Sequence, residues 1–233
     1  MNAKPVISHL SELRYRLIII ILSTIFFFFI GLVLSTPLIN KLREDLVPAG
    51  VTLVSLTPVE YFHTQLRAGL IIGVVLASPI IFFQVFAFIR PALRRNEKRI
   101  LWLSLPVFII LLLGGITFCY SVFLKLALIF LANLGVTAGI TNLWSINKFL
   151  SFTLWTCLGT GLVFETPLII FMLTRLSIID TKQIGRARPY VYVLIFLLAG
   201  LITPPDVITQ LMLGVPMVIL FESSVLIARI FKN

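Results

Sequence analysis

Charge is what this sequence has least of. Only 12% of its 233 residues are charged, about half the share found in an ordinary soluble domain. So few charges cannot cover the apolar surface of a chain that is 59% hydrophobic, and a freestanding water-soluble fold is excluded. Cysteine is nearly absent. Cys119 and Cys157 both fall inside apolar stretches, with no C-x-x-C or Cys/His cluster, and read as inert packing residues. His9 and His63 are isolated, so no metal is expected. The chain also lacks a phosphate-cradling glycine loop, a nucleophile triad and a pair of catalytic carboxylates. Neither catalysis nor a cofactor is expected.

What the chain does have is long apolar runs. About 20 such residues cross a ~30 Å hydrocarbon core. Uncharged runs place four spans at about 17–35, 68–89, 100–124 and 149–174, the last interrupted by Glu165. Two more follow at about 190–203 and 207–228, separated by Pro204-Pro205-Asp206, which cannot continue a helix. The first run lacks a small-x-small cleavage site and is expected to be a retained span. The expectation is one polytopic domain over 1–233, all α, with six transmembrane helices. The fifth is short, about 21 Å at 1.5 Å per residue, and the sixth also reads as short. The loops at about 36–67 and 125–148 are the longer ones, and the first suggests an ordered interfacial cap.

Basic residues set the direction. Fourteen of the nineteen Lys and Arg residues fall on one side of these spans and five on the other, and positive charge stays in the cytoplasm. Both termini are therefore expected in the cytoplasm. The net charge of +10 is read as a topology signal, not as nucleic-acid binding.

Polar residues inside the runs are the candidates for function. Glu165 lies about 13 Å into its span, where an acid costs roughly 3 kcal/mol on the insertion scale. Pro167, two residues on, disturbs the backbone of the same turn. The acid either bonds a carbonyl freed at that kink or lines an intramembrane polar groove that receives a partner segment; the groove is the favoured reading. Asp206 is placed to cap the sixth helix, and Gln210, one turn on, needs a partner on a neighbouring helix. Glu222 is read as reaching the interface. On the cytoplasmic side, Glu12 belongs to an amphipathic helix with Ile7, Leu10, Leu13 and Leu17 at helical spacing. Glu97 lies in a basic loop. Each acid either pairs locally, Glu12 with Arg16 and Glu97 with Arg94, or holds a guanidinium ligand.

The motifs in order resemble one family. They are His9-Leu-Ser-Glu12-Leu-Arg14-Tyr-Arg16-Leu17, Ala77-Ser-Pro79, Gln84-Val-Phe-Ala-Phe88-Ile-Arg-Pro91, Asn96-Glu97-Lys-Arg99, Phe164-Glu165-Thr-Pro167, Arg188-Pro189-Tyr190, and Thr203-Pro-Pro-Asp206 with Gln210. Together they resemble TatC, the six-span core of the twin-arginine translocase. The resemblance implies a receptor for signal peptides with consecutive arginines on folded precursors, in the prokaryotic cytoplasmic membrane or its organellar equivalent. It implies transport driven by the proton gradient, a concave polar-lined face carrying Glu165, self-association and contact with membrane lipid. Glu12 and Glu97 match the acids that meet the arginine pair, and Arg14, Pro79, Phe88 and Arg99 shape that site. Thr203, Asp206 and Gln210 match a patch that docks single-span partners of the TatA/TatB type. Asn96 departs from the usual histidine, Arg90 adds a charge beside the arginine site, and Thr166 replaces an apolar residue. A proton-coupled secondary transporter of a small solute, working through Glu165, is the competing expectation.

Overall fold

The computed structural model describes residues 3–89, 98–175, 181–204 and 206–230. In hydrocarbon every backbone N–H and C=O must be satisfied within its own segment, so the apolar runs become helices. In order these are α1 (Ala3–Leu46), α2 (Glu60–Ile89), α3 (Lys98–Phe118), α4 (Leu124–Thr137), α5 (Ile146–Phe164), α6 (Thr166–Arg175), α7 (Thr181–Ile202) and α8 (Val207–Ile230). A single π-helical turn, Cys119–Phe123, joins α3 to α4. Two short strands, β1 (Thr52–Val54) and β2 (Leu143–Ser145), pair in parallel. The described residues contain six helical stretches long and apolar enough to cross a membrane. This is an integral membrane protein. Six crossings bring both chain ends to one end of the bundle, the terminal end. The strand pair marks the other.

The helices run further than the apolar runs do. α1 persists through Pro37 and the polar residues up to Leu46, and α4 persists through Lys125 to Thr137. The two long loops expected at 36–67 and 125–148 are therefore largely helical. The fifth crossing also starts earlier than position 190: Lys182, Arg186 and Arg188 all belong to α7. Intrahelical hydrogen bonding does not stop where apolarity stops, and long basic side chains reach outward from a helix end. The fifth and sixth spans, 20 residues each, are still the shortest.

Helices α1 and α2 pack most closely where they lack side chains. A methyl group at Gly31 would lie 2.3 Å from the carbonyl oxygen of Gly69, and one at Gly73 would lie 2.8 Å from the Phe28 backbone. Small residues permit this approach where lipid offers no hydrophobic drive for association. One core, including Ile39, Phe123, Leu150, Leu213 and Met217, joins α1, α2, α4, α5, α7 and α8. A second core, Phe82, Phe108, Leu112, Leu168 and Met172, ties α2, α3 and α6.

The strand end is tied by polar contacts. Glu60 opens α2 and is 6% exposed. Its carboxylate accepts from the N–H groups of Leu56 (2.5 Å), Thr57 (3.3 Å) and Asn147 (3.2 Å), and from the Ser145 hydroxyl. One acid thereby fastens the start of α2 to β2 and to α5. Arg67 adds a second tie, donating to Asn147 Oδ1 at 3.1 Å and to the Ser151 hydroxyl. An ordered cap was legible in the sequence; Glu60 as its centre was missed. Thr57-x-x-Glu60 is a capping-box pattern that would have found it.

Candidate functional site

At the terminal end, the amphipathic N-terminal stretch is the first part of α1, continuous with the first crossing. That continuity fixes where Glu12 stands. The Glu12 carboxylate accepts from Arg16 Nη2 at 2.6 Å and from Nε at 3.1 Å, one turn along the same helix. Arg16 Nη1 also donates to Gln84 Oε1 on α2 at 3.2 Å. Arg16 is thus a bridge from the acid to the neighbouring helix. Phe88 lies one turn beyond Gln84 on α2 and is half-buried, so it stands close to the same face. Pro79 is half-buried within α2, and the ring of Phe82 stacks on Phe86 and Phe108 between them, with centroids 4.4 and 4.3 Å apart.

Arg14 is exposed, and Arg99 lies in the first turn of α3. Glu97 lies outside the described residues, as do Arg90 and Asn96. The structure therefore assembles Glu12, Arg16, Gln84 and Phe88 at the junction of α1 and α2. Arg16 and Gln84 were not singled out from the sequence as site residues. Their spacing of 68 residues carries no local signal.

Deeper in the bundle, α5 ends at Phe164 and α6 begins at Thr166. Pro167 sits in the first turn of α6, where a missing N–H costs little. Glu165 is the hinge between them. Its own N–H reaches the Leu162 carbonyl at 3.2 Å, and its carbonyl takes Ile169 N–H at 2.9 Å. The side chain is 3% exposed. It packs against the Leu112 backbone in α3, but neither carboxyl oxygen has a hydrogen-bond partner of normal geometry. The acid is enclosed, because the helix break turns it toward α3.

Three threonines on α5 share that character. Thr153, Thr156 and Thr160 are 0% exposed, and their hydroxyls have no partner. Elsewhere Thr64, Thr174 and Thr203 donate to carbonyls one turn back in their own helices. The three on α5 lie at i, i+3 and i+7, on the face opposite the exposed Trp155 and Leu162. The inner face of α5 is thus a row of unmet polar groups running toward Glu165.

The α7–α8 junction behaves differently. The buried Thr203 donates to the Ala199 carbonyl at 2.8 Å. Asp206 caps α8, accepting from Thr209 N–H at 2.7 Å and from its hydroxyl at 2.5 Å. Gln210 Nε2 donates to the Phe196 carbonyl on α7 at 2.8 Å, passing over Gly200, where a methyl group would lie 2.9 Å away. Each of these residues has a role inside the hairpin. Toward the terminal end, the same two helices are joined by Glu222, which accepts from Arg188 Nη2 at 2.7 Å and from the Tyr192 hydroxyl at 2.5 Å. The sequence places Glu222 within reach of the interface, and the structure gives it two partners on α7. Arg188 and Tyr192, four apart and so on one helical face, were the available signal.

Among the described residues no group of three or more His, Cys, Asp or Glu could hold a metal. The arrangement offers exchangeable guanidinium–carboxylate contacts at one end and enclosed polar groups within the bundle.

Comparison with known proteins gives a consistent answer. The family model for the Sec-independent protein translocase protein (TatC) matches residues 8–216. The Sec-independent protein translocase protein TatC of Listeria innocua is 35% identical over 94% of this chain and 89% of its own length. The TatC protein of Escherichia coli K12 is 34% identical over 99% of this chain and 90% of its own. Among solved structures, a crystal structure of the twin arginine translocase receptor TatC superposes with a TM-score of 0.88 at 32% identity. It covers 97% of this chain and 100% of its own.

Proposed function

The chain belongs to the TatC family, and from that premise we propose that it is the signal-peptide receptor and core subunit of a twin-arginine translocase. In this reading it works by binding and translocation and not by catalysis, passing folded precursor proteins across an energised membrane. The observation that carries the reading is the full-length likeness to the TatC receptor structure, which extends over 97% of the chain. The sequence motifs lie in the same order along it.

The arginine pair of a signal peptide is received at the terminal end, on the cytoplasmic side. Glu12 and Glu97 supply the carboxylates, and Arg14, Pro79, Phe88 and Arg99 shape the surroundings. Glu12 enters the reaction already paired with Arg16. An incoming guanidinium therefore replaces one bidentate partner by another, and Gln84 is there to hold the released Arg16. Exchange of like for like makes docking reversible. The apolar stretch of the signal then lies along the bundle toward Glu165. Single-span subunits of the TatA/TatB type dock near Thr203, Asp206 and Gln210, which requires some of the internal contacts of that hairpin to be shared or exchanged. The protein works in the prokaryotic cytoplasmic membrane or its organellar equivalent, with both termini cytoplasmic, in contact with lipid and with further copies of itself.

The test is site-specific crosslinking of the membrane-embedded protein to a twin-arginine precursor. E12Q with E97Q should reduce crosslinking at least tenfold while leaving expression and thermal unfolding unchanged. Undiminished crosslinking in the double variant would remove these two acids from the site.

A further inference from the structure

The bundle contains an opening that the receptor reading does not use. A cavity of about 350 Å³ lies between α1, α2, α3 and α5, toward the strand end. Its back wall is formed by buried residues, including Leu42, Ile71 and Leu158, while Lys41, Leu76 and Thr117 on its rim are exposed. The rim residues lie on three helices facing the surroundings, so the cavity opens sideways at the depth of the spans. Its lining is overwhelmingly apolar.

Two polar features mark its edges. Lys41 stands six residues beyond the end of the first apolar run, toward the strand end of α1. Asp45, one turn further, accepts from the Tyr120 hydroxyl across the rim. No salt bridge joins Asp45 to Lys41, so Lys41 has no carboxylate partner among the described residues. The second feature is Thr153, in the cavity wall, whose hydroxyl has no partner.

We infer that this cavity holds one acyl chain of an anionic phospholipid, with the lipid phosphate on Lys41. The almost wholly apolar lining suits a hydrocarbon chain entering end-on. Position favours a phospholipid over a free fatty chain, because a cation stands at the mouth where a headgroup phosphate would lie. The glycerol ester sits just below that phosphate, and a χ1 rotation of Thr153 would offer its hydroxyl to an ester carbonyl. A helical peptide has its carbonyls satisfied internally and no anion to place at Lys41. The inference does not depend on signal-peptide binding.

Native mass spectrometry of the purified full-length protein, titrated with phosphatidylglycerol, tests it. The wild-type protein should retain one phosphatidylglycerol more tightly than phosphatidylcholine. K41A should weaken that preference about tenfold, while K125A, at an exposed lysine of the same end outside the cavity, should not. D45N should strengthen it, by removing the rim carboxylate that meets Tyr120. L76W, at an exposed rim position, should block retention of the chain; thermal unfolding shows whether that variant is folded, and K41A decides the question if it is not. Equal retention by wild type, K41A and K125A would overturn the assignment. So would displacement of the bound lipid by the apolar stretch of a synthetic signal peptide with no effect of K41A, which would give the cavity to a peptide.

Discussion

Glu60 and Glu165 are both buried acids at helix junctions, and they are treated in opposite ways. Glu60, 6% exposed, is met by four donors from three segments. Glu165, 3% exposed, has only the Leu112 backbone beside it, and neither carboxyl oxygen has a partner of normal geometry. A carboxylate surrounded by donors is a fastening, since those N–H groups would be stranded without it. An acid enclosed without partners gains the fold nothing in its present place. The difference separates an acid that fastens the architecture from one that does not, and the same division runs between the satisfied strand end and the unmet inner face of α5.

The largest expected effect comes from breaking the satisfied side. E60A strands the Leu56, Thr57 and Asn147 N–H groups and frees β2 from α2. Little folded protein should survive detergent extraction, as judged by size-exclusion chromatography. A variant as stable as wild type would mean that the cap is held chiefly by Arg67 and the strand pair. On the unsatisfied side the sign reverses. T156V removes a buried hydroxyl with no partner and should raise stability by about 1 kcal/mol in reversible denaturant unfolding; a loss of that size would reveal a partner for the hydroxyl. Q210A gives up one interhelical hydrogen bond and should cost about 0.6 kcal/mol, the usual value in a membrane interior. Smallest of all is E165Q. Glutamine keeps the shape and the approach to the Leu112 backbone, so stability should stay within roughly 1 kcal/mol of wild type, while export of a reporter precursor falls. A marked destabilisation by E165Q would erase the contrast with Glu60.

Much of this was readable before any coordinates. The six crossings, the break at Pro204-Pro205-Asp206, the cap on the sixth helix and the interruption at Glu165 follow from apolar run length and from what proline and an acid do to a helix. Helix ends were not readable in the same way. α1 continues eleven residues past the run that ends at Ser35, because a helix can leave the membrane without unwinding. Which helix Glu165 faces is not legible for a related reason: sequence gives depth along an axis but not the direction in which a broken helix turns a side chain. Arg16 to Gln84 is a contact between helices, and neither residue announces the other. Local grammar did exist for Glu60, in Thr57-x-x-Glu60, and for Arg188 with Tyr192.

The unbroken length of α1 has a mechanical consequence. Its 44 residues make a rod of roughly 66 Å, and Glu12 and Asp45 stand about 50 Å apart along it. A rod of that length is a lever. A tilt of about three degrees about the close glycine crossing with α2, roughly 21 Å from Asp45, swings the far end by roughly 1.1 Å. That far end carries Leu38, Lys41 and Leu42, one wall of the cavity. A ligand that loosens Arg16 from Glu12 at one membrane surface therefore acts, through the rod, on the width of an opening near the other.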